Sequence, residues 1–367
     1  MPRTPWPDGA ESPASRHDIR IPYALRHVDP ARLQKVVPLT SEPRAGDLAL
    51  ARVEKIGKNT RLELANGRAC SLYVGDFAAV VFGNRYATMQ FEGYARADGD
   101  RCDLLSMGGL CGLVESRHVS VPDSSKLRLM GRFADDRGRP LVLRSFALPS
   151  PDRKRDVLNV VVVCGSSMDA GKTHTASSVI SGLRAHTDRV VGIKLTGTAA
   201  GRDTWSLLDA GACAALDFVD GGYASTYRVP LDELLDLHQF LLGHAAQRGA
   251  TWAVVEIADG LLQAETAALL QSPTFVDTVD AWLFAAGDPL AALSGVAMLR
   301  GWGIEPLGVG GRVTMSALAM REVTNALGVP VFTAGALQEG ALNGRLALLE
   351  RHPARSSGNV TAAVGAA

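Results

Sequence analysis

The chain has 367 residues, of which 47% are hydrophobic, and its 38 Lys and Arg side chains balance 38 Asp and Glu. This length and composition predict about two domains, with a core large enough to need no disulfide or structural metal, and exclude a small secreted scaffold. The five cysteines are odd in number and contain no Cys-x-x-Cys pair, which argues against a disulfide framework or a zinc ribbon. We therefore expect a reducing, cytoplasmic location.

The charge is distributed unevenly along the chain. Residues 1–156 contain 25 basic and 19 acidic side chains, whereas residues 157–367 contain 13 and 19. So small a basic excess, without clustered aromatic and basic residues, disfavours a nucleic-acid partner. No apolar run approaches the roughly 18 to 20 residues of a membrane-spanning helix, so a membrane partner is not expected either.

The N-terminal part of the chain is predicted to be rich in β-strands. Residues 1–42 mix Pro, Arg and short apolar pieces without periodicity and are expected to form a mobile segment. From 43 to 150, short β-rich runs separated by Gly, Asp and Asn predict a small β-barrel or β-sandwich, with a last strand at 141–148. Asn84, Arg85 and Tyr86 could touch a ligand, but they are better interpreted as hairpin residues because nothing adjacent supplies a base, a nucleophile or a metal site.

A polar, proline-bearing linker at 149–156 is predicted to lead into an α/β domain at 157–350, and the small polar residues 354–367 are expected to be a disordered tail. In the α/β domain, Val-rich runs alternate with helical patterns, which indicates a parallel sheet with helices on both faces. A last strand is predicted at 329–335. Helices are predicted near 172–186, 203–214, 231–248, 262–271, 289–301 and 316–327, with Ser316 capping the last.

The first strand of this domain runs directly into GSSMDAGKT, and an amphipathic helix follows it. Small residues allow backbone N–H groups to surround phosphate oxygens, and the positive end of the new helix favours the same anion. The lysine of such a loop reaches the outer phosphates, and the threonine can bind Mg²⁺. The candidate nucleotide-binding residues are Gly165, Ser166, Ser167, Met168, Asp169, Ala170, Gly171, Lys172, Thr173 and His174.

The five residues between Gly165 and Gly171 exceed the usual four, and with this spacing the loop resembles that of dethiobiotin synthetase and its relatives. These are P-loop NTPases with a deviant phosphate-binding loop. The resemblance covers about 157–340 and implies a P-loop NTPase fold, bound ATP and Mg²⁺. The N-terminal β domain has no counterpart in the synthetase, although uncharacterised bacterial relatives carry such an extra domain.

Two further segments carry the resemblance. Lys194 lies near the C-terminal end of the strand RVVGIKL, where the synthetase has the lysine of a Gly-Tyr-Lys-Pro-Val segment, and Glu256 ends the strand WAVVE, where the synthetase has a metal-binding glutamate. The resemblance implies a catalytic role for Lys172 and Lys194, and a metal site at Thr173, Glu256 and, by chain order, Asp203. The alternatives are that Lys194 is an ordinary strand-end lysine and that Glu256 is a solvated or capping acid, although Asp259 fits a helix cap better.

The resemblance implies an ATP-dependent ligase or phosphotransferase that activates a small carboxylate or carbamate. Gly311 stands where the synthetase has its adenine-reading asparagine, but the sequence contains no Asn-Lys-x-Asp segment, which leaves ATP favoured over GTP. The alternative function is a nucleotide-dependent switch or assembly ATPase whose β domain binds a protein partner. A small-molecule substrate and a homodimer are the expected partners.

Overall fold

The structure is a computed structural model that describes residues 18–152 and 158–349. The predicted tail at 354–367 lies outside the described residues, as do the start of the predicted N-terminal segment and the end of the predicted linker. Within the two described stretches, no helix has both the length and the apolar character that a membrane span requires.

The N-terminal part forms a closed β-barrel. Its strands are β1 (Ile19–Arg20), β2 (Lys35–Val37), β3 (Leu48–Lys55), β4 (Arg61–Glu63), β5 (Ala69–Ser71), β6 (Phe77–Phe82), β7 (Phe91–Tyr94), β8 (Arg101–Leu104), β9 (Leu110–Arg117) and β10 (Ser125–Ala134). Five of them hydrogen-bond in the order β6, β3, β10, β8 and β9, and β9 pairs with β6 to close the ring. Closure leaves the ring without free strand edges.

The wall of the barrel is apolar on both of its faces. Successive side chains of a strand point to opposite sides, and in β3 the side chains of Ala49, Ala51 and Val53 join the apolar cluster of the barrel interior. Leu48 and Leu50 instead join a cluster that continues into the α/β domain. This double burial explains why β3 begins with an uninterrupted apolar run rather than with polar and apolar residues in alternation.

The C-terminal part is a six-stranded parallel sheet flanked by helices. Its strands are β11 (Asn159–Gly165), β12 (Val190–Lys194), β13 (Ala214–Asp217), β14 (Trp252–Glu256), β15 (Ala281–Ala285) and β16 (Gly308–Gly310). They lie in the order β13, β12, β14, β11, β15 and β16. The helices are α1 (Lys172–Leu183), α2 (Gly201–Asp209), α3 (Leu231–Gln247), α4 (Ala264–Leu270), α5 (Pro273–Val276), α6 (Pro289–Gly301), α7 (Ala317–Leu327), α8 (Ala334–Gln338) and α9 (Asn343–Ala347).

Helices cover both faces of this sheet. Val161 and Val163 of β11 belong to an apolar cluster with residues of α1, α2 and α8, whereas Val160 and Val162 belong to a cluster with residues of α3 and α6. The predicted fold class, an α/β parallel sheet preceded by a small β domain, is confirmed.

Most predicted elements occur, with ends that differ by a few residues. Ser316 caps α7 as predicted, because its Oγ accepts a hydrogen bond from a backbone N–H of the first turn. Two predicted strands were wrong. In 141–148 the chain makes a single bridge, between Val142 and Asp47, and then forms a short 3₁₀ helix at Leu143–Phe146. In 329–335 the sheet contact is a single bridge at Val331 before α8 begins. Neither run therefore pairs over the length of a strand.

The expectation of a mobile segment at 1–42 was wrong for its described part, residues 18–42. Strand β1 pairs with β6, and Tyr23, Ala24 and Leu25 are fully buried in a 3₁₀ helix that joins the core shared by the two domains. This stretch of sequence has no periodicity because its apolar residues pack against distant strands instead of along a regular face.

Buried polar contacts tie this N-terminal segment to the α/β domain. The Tyr23 hydroxyl donates to Asp217 Oδ2 at 2.8 Å and lies 2.9 Å from the Thr204 hydroxyl. Arg26 Nη2 lies 2.7 Å from Asp217 Oδ1 and 2.8 Å from Asp220 Oδ1. Burial of the Tyr23 hydroxyl, followed by the Asp217 charge, raises its pKa far above the usual range. Asp217 and Asp220 therefore hold the two domains together, since charges buried this deeply are costly unless they are paired.

We predict that Arg26→Met destabilises the protein by about 3–5 kcal/mol, because the substitution leaves the buried Asp217 carboxylate without its cation. Asp220 keeps a second partner, since His27 Nε2 lies 2.6 Å from its Oδ1. Urea unfolding followed by tryptophan fluorescence measures this change. The matched control is Arg139→Met, whose guanidinium pairs with Asp135 on the surface and whose loss should leave the unfolding midpoint unchanged. Equal midpoints for the two variants would contradict the proposed anchoring by Arg26.

Candidate functional site

The predicted phosphate loop, residues 165–171, joins β11 to α1 at the carboxyl edge of the parallel sheet. All seven residues of β11 are buried, and the strand lies between β14 and β15. In open parallel sheets, ligands bind outside the carboxyl ends of the strands. Asp169, with φ 62°, and Gly171, with φ 98°, adopt the left-handed backbone conformation that turns the chain sharply before α1.

The backbone of the loop packs so closely against the 311–312 segment that both contacting positions, Gly171 and Gly311, must be glycine. A Cβ on Gly171 would lie 2.9 Å from Gly311 Cα, and a Cβ on Gly311 would lie 2.3 Å from the Ala170 carbonyl oxygen. The Arg312 backbone N–H donates to that same Ala170 oxygen at 2.9 Å. Gly311 stands where dethiobiotin synthetase has its adenine-reading asparagine. A glycine is required there because the Gly311 backbone packs directly against the predicted phosphate loop.

Lys172 is buried at the start of α1, with 6% of its surface exposed. Its Nζ donates to the Ser167 carbonyl oxygen at 2.7 Å, so the side chain folds back over the loop. Burial lowers the pKa of this ammonium group, and the Glu256 carboxylate opposes that shift. An anion bound in the loop would stabilise the charged form further.

Four of the predicted catalytic and metal-binding side chains meet beside the loop. Thr173 Oγ1 donates to Glu256 Oε1 at 2.9 Å and lies 3.3 Å from Asp203 Oδ1. Lys194 forms an ion pair with Asp203, and its Nζ lies 4.0 Å from Glu256 Oε1. Residues from α1, α2, β12 and β14 thus converge, because the carboxyl ends of adjacent parallel strands share one edge of the sheet.

The chemistry of these side chains fits a magnesium ion. Glu256 is 2% exposed, and its Oε2 is a buried oxygen without a hydrogen-bond partner in the described part of the chain. Among the described residues there is no group of three or more His, Cys, Asp or Glu side chains placed to hold a metal. Magnesium is usually bound by one or two carboxylates, with water and substrate phosphates as the other ligands, so Thr173, Glu256 and Asp203 suffice.

These residues lie on a cavity of about 860 Å³, a volume within the usual range of small-molecule sites. Ser166 does not line this cavity, and its backbone N–H donates to the Ala285 carbonyl oxygen at 2.9 Å. Gly165, Ser167 and Ala170 likewise do not line the cavity. The predicted residues that do line it are Met168, Asp169, Gly171, Lys172, Thr173, His174, Lys194, Asp203 and Glu256.

Asp259 and Gln90 are among the lining residues that the sequence analysis did not predict. Asp259, expected to be a helix cap, caps no helix, because the N-cap of α4 is Gln263, and its side chain lines the cavity instead. Burial raises the pKa of Asp259, while the Lys172 and Lys194 ammonium groups oppose the shift. Asp259 follows Glu256, the last residue of β14, by three residues, and this position at the carboxyl end of a parallel strand could have indicated that it lines the cavity. Gln90 comes from the barrel domain, and no sequence signal connects it to the phosphate loop.

No protein-family model matches this sequence, and a comparison with curated proteins finds no match either. Solved structures are similar to part of the chain, with TM-scores of 0.35, 0.32 and 0.33. They are the signal recognition particle 54 kDa protein of Aeropyrum pernix K1 in complex with GDP, a ParA family ATPase of Chlorobium tepidum TLS, and the signal recognition particle receptor FtsY of Elizabethkingia anophelis.

The sequence identities to these three proteins are 17%, 12% and 13%, and the matches cover 54%, 53% and 50% of this chain. They span 51% of the 54 kDa protein, 95% of the ParA family ATPase and 64% of FtsY. In the C-terminal part of this chain, the central strand β11 of a parallel sheet leads through a glycine-rich loop into α1.

We predict that Gly171→Ala destabilises the protein by about 1–3 kcal/mol, because alanine disfavours a left-handed φ and its Cβ would press on the 311–312 backbone. Thermal unfolding measures the change. Gly301→Ala is the matched control, since a Cβ there meets no atom within 4 Å and φ is not left-handed. A Gly171→Ala variant as stable as the Gly301→Ala variant would show that the loop backbone differs from the one described.

Proposed function

We propose that the protein is a Mg²⁺-dependent, ATP-using enzyme that transfers the γ-phosphoryl group to a small carboxylate or carbamate, as its resemblance to dethiobiotin synthetase implies. The observation that carries this proposal is the position of Lys194. Its ammonium group lies on the same cavity as Lys172, next to the Asp203 and Glu256 carboxylates. In this position the Lys194 ammonium group can bind an anionic acceptor next to the phosphates that Lys172 binds.

Each charged residue has a separate task in this proposal. Lys172 releases the Ser167 carbonyl and binds the outer phosphates, as the lysine of a P-loop does. Lys194 holds the acceptor carboxylate and orients it toward the γ-phosphorus. Phosphoryl transfer depends mainly on positioning and charge stabilisation, so the residues present can support the reaction without a dedicated base.

The magnesium ion would be held by Thr173, Glu256 and Asp203. When bound, it neutralises negative charge on the β- and γ-phosphate oxygens. The unpartnered Glu256 Oε2 supports this assignment, because a buried carboxylate oxygen is costly unless a cation or a donor satisfies it. The ion pair between Asp203 and Lys194 places the metal ligands and the acceptor-binding lysine in a single charge network.

ATP is proposed as the nucleotide, on the absence of an Asn-Lys-x-Asp guanine-reading segment from the sequence. A small molecule is proposed as the second substrate, since the cavity is of the size that such ligands occupy. The cytoplasmic location and the homodimer remain predictions.

The second candidate function is a nucleotide-dependent switch, and the attachments of α2 favour it. This helix carries Asp203, and its first N–H, at Gly201, donates to Glu63 of the barrel domain at 2.8 Å. The Trp205 indole donates to the same carboxylate at 3.1 Å. A nucleotide that moved Asp203 would therefore act on the barrel. Acceptor-dependent turnover separates the two functions, because a switch requires no small-molecule acceptor.

We predict that Lys172→Ala abolishes Mg²⁺-dependent binding of a non-hydrolysable ATP analogue, since the phosphates lose their cationic partner. Isothermal titration calorimetry with ATP and GTP analogues measures this loss and also tests the choice of base. Lys58→Ala, which removes an exposed lysine outside the cavity, should bind like the wild-type protein. Unchanged ATP-analogue affinity in Lys172→Ala would remove the argument from the phosphate loop.

We predict that Lys194→Ala binds the ATP analogue within a few-fold of wild type but loses at least about 100-fold of acceptor-dependent ADP release, in line with the loss of a positioned electrostatic group. ADP release is measured with bicarbonate and with a panel of short carboxylates, each with and without amines. Normal turnover in this variant would contradict the role of Lys194. Turnover that needs no acceptor in the wild-type protein would instead favour the switch.

A further inference from the structure

The barrel domain contributes to the wall of the nucleotide cavity. Of the described residues that line this cavity, Gln90 is the one that comes from the barrel domain. It lies directly before β7 and is half-buried, and its backbone carbonyl accepts from the His118 N–H at 2.9 Å. The segment around Gln90 is therefore fixed to the barrel at a point where the residue borders the cavity.

Arg85 fixes the orientation of the Gln90 amide. Arg85 Nη2 donates to Gln90 Oε1 at 2.9 Å, and Nη1 donates to the Leu105 carbonyl oxygen. The Arg85 backbone is held in turn by two hydrogen bonds with Gly93, at 2.8 and 3.1 Å. A guanidinium group only donates hydrogen bonds, so it must face the oxygen of the Gln90 amide. The amide NH₂ group is then left free to donate to another partner.

Arg85 is also a buried cation that lacks an ion-pair partner among the described residues. Arg85 is 7% exposed, and its Nε has no hydrogen-bond partner in the described part of the chain. Burial lowers its pKa to about 10, and the acid that opposes this shift is Asp259, across the domain boundary. Because burying an unpaired guanidinium group destabilises the fold, Arg85 is better explained by a role in ligand binding at the cavity than by a contribution to protein stability.

We propose that Gln90 determines specificity for the second substrate, its amide NH₂ group donating a hydrogen bond to an oxygen of the carboxylate or carbamate acceptor. Arg85 is the positioning residue that presents this donor. The inference rests on the proposed function and extends it, since it gives the barrel domain a part in binding the acceptor. The acceptor is then held from two sides, by Lys194 from the sheet and by Gln90 from the barrel.

The first test uses Gln90→Leu, which removes the amide but retains the length of the side chain. Met89→Ala is the matched control, because Met89 is the preceding residue, is 48% exposed and does not line the cavity. We expect the KM for the most active carboxylate of the panel, or for bicarbonate, to rise about ten- to a hundredfold in Gln90→Leu, as a hydrogen bond to a charged group predicts. The affinity for the ATP analogue should stay within twofold of wild type.

The second test asks whether Arg85 acts through Gln90. Arg85→Met should raise the same KM, and the double variant Arg85→Met/Gln90→Leu should show no further rise, because coupled residues are not additive. Gln90→Asn, whose amide is one methylene shorter, should partly restore the KM. Thermal unfolding of each variant separates a misplaced amide from a misfolded barrel.

Three results would overturn the inference: an unchanged KM in Gln90→Leu, an ATP-analogue affinity that falls by as much as the KM rises, or independent additive effects of the two substitutions. In each of these cases the proposed function would stand, because wild-type turnover would still depend on the acceptor. If no acceptor stimulates ADP release from the wild-type protein, the proposed function fails first and this inference fails with it.

Discussion

The arrangement of the molecule depends on strands that are buried on both faces. Leu48 and Leu50 of β3 pack into the same apolar cluster as Val160 and Val162 of β11, while Ala49 on the other face of β3 packs inside the barrel. The barrel wall thus serves two cores at once. Separating the domains would expose this wall to water, at about 25 cal/mol for each Å² of apolar surface. The barrel is therefore held at a fixed place beside the sheet.

Apolar packing has no direction, so the polar contacts decide how the two domains face each other. Tyr23 and Arg26 meet Asp217, and Glu63 meets the first turn of α2. Each contact joins groups that are buried or nearly so, where a missing partner would be costly. Because α2 also carries Asp203, the same contacts fix this side chain, a proposed metal ligand, relative to the barrel.

The parts of the site that could be predicted from the sequence are those in which a single stretch of chain carries the whole signal. The strand, the small residues and Lys172 with Thr173 are consecutive, and the strand ends at Lys194 and Glu256 are each marked by a buried apolar run. Their convergence follows from the geometry of parallel strands, whose carboxyl ends share one edge. Asp259 also sits at that edge, but its sequence context equally suited a helix cap.

The sequence by itself determined the β-rich N-terminal part, the parallel sheet and the glycine-rich turn between β11 and α1, because hydrophobic periodicity and local turn chemistry are properties of neighbouring residues. Only the tertiary structure decided that 18–42 belongs to the core, that Asp217 and Asp220 bind Arg26, and that Gln90 reaches the cavity. These contacts join residues that are up to about two hundred positions apart. Such contacts depend on how the domains dock, and docking depends on the complementarity of whole surfaces, which leaves no period or motif in the chain.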